Sequence, residues 1–252
     1  MKIKKKKKTK PILKRARKPA EAAAQTRFQK IYRPIVRRWK MIVAVAGAVV
    51  IVGAAVGGYF WYRHDREVRA SRAYASAQSR LADMVREAAS RVEEGGTVDE
   101  EAVVAETEKE LANIVERYGD TAAGRAAAYE LASLHFDRGR YDDAQKLFEE
   151  VERKTSGLQR ILAAKGVADC HRARGELEPA IAKYREIFDG HPEEFPAVPV
   201  AMALAECYRR TDRSAEAVEL YRFVLDYHRL SPYAPEAEEE LRKAEAVLAA
   251  RD

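Results

Sequence analysis

Cysteine is scarce: Cys170 and Cys207 are the two in 252 residues. That excludes a scaffold stapled by several disulfides and a zinc site built on a set of thiolates. The five histidines are scattered, and none stands near a cysteine at metal-ligand spacing. Glycine-rich phosphate loops and Gly-x-Ser-x-Gly are missing. No pair of carboxylates is set apart from the many Glu residues on solvated helix faces, so neither an enzyme nor a cofactor or metal is expected. After Arg63 no stretch alternates apolar and polar residues as a half-buried strand does, which points to an all-α chain. The last shortage is local: residues 1–40 contain one acid, Glu21, against 17 Lys/Arg.

That shortage splits the chain electrically. Residues 1–40 carry +16, whereas residues 41–252 hold 29 Lys/Arg against 39 Asp/Glu, a balance of −10. Between them Met41–Tyr62 runs without a charge. As a helix at ~1.5 Å per residue it reaches about 33 Å, enough for a ~30 Å hydrocarbon core. Trp39, Tyr59, Phe60, Trp61 and Tyr62 sit at its ends, where amphipathic rings favour the interface. A cleaved signal peptide fits less well, because the charged segment before the apolar run is too long. Excess Lys/Arg marks the cytoplasmic side, so the expected topology is a bacterial inner-membrane protein with a cytoplasmic N-terminus and a periplasmic C-terminal domain. The lysine run Lys4–Lys8, and residues 1–25 as a whole, are expected to be disordered. Phe28, Ile31, Tyr32, Ile35, Val36 and Trp39 recur at three-four spacing among basic residues, a pattern suited to an anionic lipid surface, although Pro34 weighs against a helix there. Topology and lipid attraction account for the tail, and no nucleic acid is expected. Gly53 and Gly57 form a small-xxx-small pair through which a second membrane helix could approach.

Residues 63–118 read as a helical hairpin. Tyr74, Ala77, Leu81, Met84, Val85, Ala88 and Val92 mark the first helix, and Val104, Leu111, Ile114, Val115 and Tyr118 the second. Gly95-Gly96 breaks the first, and Thr97 or Asp99 can cap the next. From 119 to 252 the chain repeats. Leu131-Ala132, His135, Gly139, Tyr141, Ala144 and Phe148 hold offsets that return 36 residues later as Val167-Ala168, His171, Gly175, Leu177, Ala180 and Tyr184. A further 37 residues on they return as Leu204-Ala205, Tyr208, Asp212, Ser214, Ala217 and Tyr221. Helix–turn–helix units of this period resemble tetratricopeptide repeats. The small alanines let helices close up, Gly139 and Gly175 suit a turn with positive φ, and Pro192 closes the second unit. His135 and His171 fall at a core-packing aromatic offset. A single unit cannot bury its apolar face, so the hairpin caps one end and a helix from Pro235 to Ala250, with Leu241, Ala244, Val247 and Leu248 on one side, caps the other. The whole is expected to be a single membrane helix followed by an all-α, tetratricopeptide-like helical-hairpin solenoid.

Cys170 and Cys207 take the same offset in neighbouring units. Equivalent helices lie about 9–10 Å apart, beyond the ~7 Å a disulfide spans, so two separate buried thiols are expected. The tetratricopeptide resemblance implies a peptide-binding concave face bearing Tyr129, Phe136, Lys165, Arg172, Met202 and Arg209. The order of parts over roughly residues 30–250, most closely from Tyr118-Gly119-Asp120-Thr121 through Ala217, resembles the YfgM-like ancillary subunit of the Sec translocon. That resemblance implies partners in SecYEG, a PpiD-like periplasmic chaperone and exported polypeptides. Envelope-assembly or cell-division scaffolds are the alternative, as is a regulator whose tail binds a cytoplasmic partner.

Overall fold

The computed structural model describes residues 18–93, 99–190 and 197–250, with the side chains of 18–37, 92–93 and 100 left aside. Among these residues there are nine helices and no strand. They are α1 (Lys18–Glu93), α2 (Glu100–Tyr118), α3 (Ala122–Asp137), α4 (Tyr141–Lys154), α5 (Gly157–Ala173), α6 (Leu177–Gly190), α7 (Ala197–Arg210), α8 (Ser214–Tyr227) and α9 (Ala234–Ala249). Lys4–Lys8, Gly95-Gly96, Thr97 and Pro192 lie outside the described residues. The chain divides into two compact units, 1–63 and 64–252, and α1 supplies residues to both.

In the first unit the apolar run is helical, and its large side chains, from Met41 through Tyr62, are solvent-exposed. Among the described residues α1 is the one helix long and apolar enough to cross a membrane. Helix begins at Lys18, so residues 18–25, expected to be disordered, are helical, and Pro34 lies within α1 rather than ending it. A proline removes one i→i−4 bond, and here the helix carries through regardless.

The second unit is a stack in which each helix from α2 to α9 packs on its neighbours in the chain, with α3 also touching α5. Ala132, Ala144, Ala168, Ala180, Ala205 and Ala217, the small residues of the repeat, expose no surface at all. The aromatic partners Phe148, Tyr184 and Tyr221 are buried beside them. The turns inside the three units are built alike. The amides of Arg140, Glu176 and Arg213 donate to the carbonyls of His135, His171 and Tyr208 at 2.8, 2.9 and 2.9 Å. That bond turns the chain only if the residue before it is left-handed: Gly139 has φ +73°, Gly175 +79° and Asp212 +61°.

The end of the stack at α3 packs on α1 and α2 through a contact the sequence pattern does not show. Ala77, Leu111, Ile114, Ala127 and Leu131 form one cluster joining α1, α2 and α3. Arg66 donates 2.6 Å bonds to the Arg117 carbonyl and the Asp120 carboxylate, and the Glu67 carboxylate accepts from the Ala122 amide at 3.0 Å. Glu67 thus satisfies a free amide at the start of α3 while Thr121 satisfies the Gly124 amide at 3.0 Å. Of the two caps offered for α2, Asp99 accepts from the Ala102 amide at 3.0 Å. At the other end Ala237 and Ala244 are buried and Leu241 and Leu248 pack against the core, but Val247 is 43% exposed and takes no part in the cap. One turn of α9 separates Ala244 from Leu248, and Val247 falls off the edge of that stripe.

His135 and His171 are not core packing residues. They sit half-buried at the turns, His171 Nδ1 at 2.6 Å from Glu176 Oε2 and His135 Nε2 at 3.3 Å from Glu108 Oε1. The second contact is close enough for charge attraction but lacks hydrogen-bond geometry, and both ring nitrogens of His135 are buried without a bonded partner. Arginines at the same edge tie each unit to the one before. Arg140 makes a two-pronged contact with Glu108 of α2 at 2.8 and 2.6 Å, Arg174 reaches Asp142 of α4 at 3.1 Å, and Arg213 reaches Glu178 of α6. Such surface pairs contribute at most about 1 kcal/mol each, so their main effect is on register.

Two outcomes are expected. Gly175→Ala should destabilise the protein by about 1 kcal/mol, since a Cβ is disfavoured at positive φ, whereas Asp212→Gly should stay within about 0.5 kcal/mol of wild type as strain relief offsets the entropy of glycine; denaturant midpoints measure both. Arg174, with His171 beside it, lowers the Glu176 carboxyl from 4.5 to about 2. A depressed folded-state value means this stabilisation is present above about pH 4.5 and lost as the pH falls toward 2. Glu176→Gln should therefore lose less Tm than wild type on acidification from about pH 5 to about pH 3.

Candidate functional site

The first helices of the units, α3, α5 and α7, share one face with α9, and a groove runs along it. Its first part is a cavity of about 130 Å³ between α3 and α5. Tyr129 and Phe136 line it, and the Phe148 ring of α4 forms its floor. Tyr129 and Phe148 meet edge to face with centroids 5.4 Å apart. Gly166 permits this floor: a Cβ there would lie 2.7 Å from the Phe148 ring. The second part is a cavity of about 360 Å³ among α5, α7 and α9, lined by Arg172, Met202, Glu206, Arg209, Tyr233 and Glu240 among others. Lys165 and Asp169 border both, which makes the groove continuous. A more open hollow of about 730 Å³ follows beside the α8–α9 loop, reached past Pro199 and Tyr233, with Leu230 fully exposed at its edge.

All six expected groove residues therefore line one surface. Tyr129 and Phe136 stand in the aromatic part, Lys165 at the junction, and Arg172, Met202 and Arg209 in the wider part. Met202 is 8% exposed, so it contributes wall rather than reach. The pattern of charges is a chain of internal pairs. Lys165 holds Asp169 at 2.7 Å, Asp169 also accepts from the Tyr184 hydroxyl, Arg172 holds Glu206 at 2.5 Å, and Arg209 lies 3.4 Å from Glu240. Burial opposes the charge on Arg172, yet Tyr184, Glu206 and Asp169 raise its pKa above the ordinary value. Burial, with the Asp169 charge beside it, likewise pushes the Tyr184 hydroxyl up, so it stays a donor. A groove of this kind offers aromatic faces, fixed dipoles and paired charges.

Three contributors were not legible. Phe148 reads as plain core, and it is buried, but Gly166 opposite it leaves room for its ring beneath the α3–α5 cavity. Tyr233 and Glu240 come from the loop before α9 and from α9 itself, which reads from its apolar stripe as a cap alone. The signal was available in Glu238-Glu239-Glu240, whose charges need a solvated face, but not in which neighbour that face would meet.

The remaining candidates resolve simply. Gly53 and Gly57 are exposed, with nothing within 4 Å of where a Cβ would stand. Cys170 and Cys207 are both free and buried, Cys170 in the α3–α5 cluster and Cys207 in the large α5–α9 core. Burial pushes their thiols up to about 12 and about 11. Among the described residues no three His, Cys, Asp or Glu side chains are grouped as metal ligands.

No protein-family model matches the chain, and no curated protein sequence matches it. Solved structures do. A Podosopora anserina protein named for kinesin light chain, with nearly identical TPR-like repeats, superposes at TM-score 0.51 with 20% identity, over 69% of this chain and 89% of that one. MamA superposes at TM-score 0.50 with 12% identity, over 60% of this chain and 82% of that one. At such identities the likeness is one of fold: an all-α stack of tetratricopeptide-like repeats.

Because the thiolate is the reacting species and both thiols are buried, neither cysteine should react with a small disulfide reagent in the native protein at about pH 8, and both should react once it is unfolded. Unchanged electrophoretic mobility with and without reductant is the companion observation. Rapid labelling of either cysteine in the native state would contradict the packing described.

Proposed function

We propose that this protein is a non-enzymatic adaptor, anchored in a bacterial inner membrane by the helix through 41–62, that holds segments of other proteins in its repeat groove on the periplasmic side. The observation that carries the reading is the continuous groove from Tyr129 to Glu240, built from paired charges and aromatic walls with no reactive constellation. The membrane half rests on the uncharged, exposed run and on the Lys/Arg excess before it. In its most specific form, drawn from the resemblance to the YfgM-like subunit, the protein is an accessory to the Sec translocon. It would pass exported polypeptides to a PpiD-like chaperone, with its basic tail against anionic lipid and Gly53 and Gly57 facing a partner helix. Division or envelope-assembly scaffolding is the competing assignment for the same groove.

Two measurements test this. Val247→Cys, exposed in α9, should be labelled by an impermeant maleimide added to spheroplasts, and Gln25→Cys only after lysis; the reverse pattern overturns the orientation. A mild-detergent purification of the full-length protein from native membranes should bring translocon subunits and a periplasmic chaperone, and Gly53→Leu with Gly57→Leu should reduce the translocon yield. Recovery of division or outer-membrane assembly proteins in their place overturns the translocon assignment and keeps the adaptor.

A further inference from the structure

The groove is not electrically neutral, and the imbalance has a position. Lys165, Arg172 and Arg209 each face a carboxylate within the groove, at 2.7, 2.5 and 3.4 Å. None of these cations is left over for an acidic ligand. Two acids on the same surface have no ion-pair or hydrogen-bond partner among the described residues: Asp137, which lines the aromatic part, and Glu236, which lines the wider part. Both are exposed. They stand on α3 and α9, the outermost of the four helices that form the groove, so the unmet negative charge lies at its two ends. Asp137 is the last residue of α3, where the helix dipole is negative and an acid is locally unfavourable. Helix stability therefore does not account for it. Beside it stands Phe136, and Tyr129 lines the same cavity two turns earlier in α3, both with ring faces that attract a cation.

We propose that the groove takes an extended peptide segment of positive charge, one Lys or Arg seated at Asp137 beside Phe136, a second at Glu236, and an apolar side chain between them. This deepens the adaptor reading and rests on it. Three steps between adjacent helices at about 9–10 Å each separate α3 from α9. Asp137 ends α3 whereas Glu236 stands near the start of α9, which adds about 20 Å along the helix axes. An extended chain advances roughly 3.3 Å per residue, so the two cations stand about ten residues apart. The paired charges in the middle neither attract nor repel such a chain, while Met202 and Tyr233 offer it apolar contact. An acidic segment meets repulsion at both ends.

The test uses the full-length protein in nanodiscs of phosphatidylcholine, a lipid without net charge, with empty nanodiscs as control. Three fluorescein-labelled eleven-residue peptides share Leu and Phe in the middle and differ in their end residues: Lys, Gln or Glu. The Lys peptide should bind most tightly, the Glu peptide least, and the difference should shrink with salt. Asp137→Asn and Glu236→Gln should each weaken the Lys peptide roughly two- to fivefold and leave the Gln peptide unchanged, the size expected of exposed charge pairs. Phe136→Ala should weaken the Lys and Gln peptides alike. Equal affinity for the Lys and Gln peptides, or preference for the Glu peptide, overturns the cationic segment and leaves the groove as a peptide site. Failure of all three peptides to bind, or binding that ignores Phe136→Ala, overturns the groove reading together with it.

Discussion

The close approach of helices at six alanines governs the second unit. Ala132, Ala144, Ala168, Ala180, Ala205 and Ala217 have no exposed surface, and they fall at two offsets of the repeat, Ala132, Ala168 and Ala205 in the first helices and Ala144, Ala180 and Ala217 in the second. A larger side chain at any of them would hold two helices apart and break the register of the units beyond. Because Phe148, Tyr184 and Tyr221 fill the gaps these alanines leave, small and large residues act as one packing rule applied three times. The spacing of the groove follows from that rule, since α3, α5 and α7 present one face only if every unit repeats the same interhelix distance.

A stack of identical units has two ends that the repeat rule cannot close. One is closed by an apolar cluster with α1 and α2 and, beyond it, by polar contacts to the loop before α3. Arg66 and Glu67 bind the loop carbonyl, the Asp120 carboxylate and the first free amide of α3, which combines capping of a helix with attachment of the hairpin. The other is closed by α9, which does two jobs with two faces. Ala237 and Ala244 seal the core, and Glu240 completes the groove by meeting Arg209.

The groove's charges are held mostly for each other. Lys165, Asp169, Tyr184, Arg172 and Glu206 form a connected set, and connected polar groups in a partly buried site stiffen the surface they line. A stiff wall with a few unmet charges discriminates among peptides differently from a surface of free cations. It rejects by what it leaves unpaired more than by what it offers.

Periodicity alone, read from the chain, establishes the helices, the three units, the left-handed turns at Gly139 and Gly175, the buried alanines and the apolar run through 41–62. These are local matters, decided by residue size, φ preference and hydrophobic spacing within one or two turns of helix. The tetratricopeptide resemblance names the six groove positions, and phase alone says only that they share a face. Four things required the tertiary structure. Glu176 holds His171 at the edge, and His135 buries its ring nitrogens there beside Glu108 without a bonded partner, where a satisfied core aromatic was expected. Residues 18–25 continue α1 despite a composition that suggests disorder. The hairpin is fastened by Arg66 and Glu67, whose partners lie more than fifty residues away. Val247 falls outside the cap while Glu240, four residues before Ala244, enters the groove. Each depends on which distant group stands opposite, and a one-dimensional pattern records the face a residue occupies but not the neighbour that face meets.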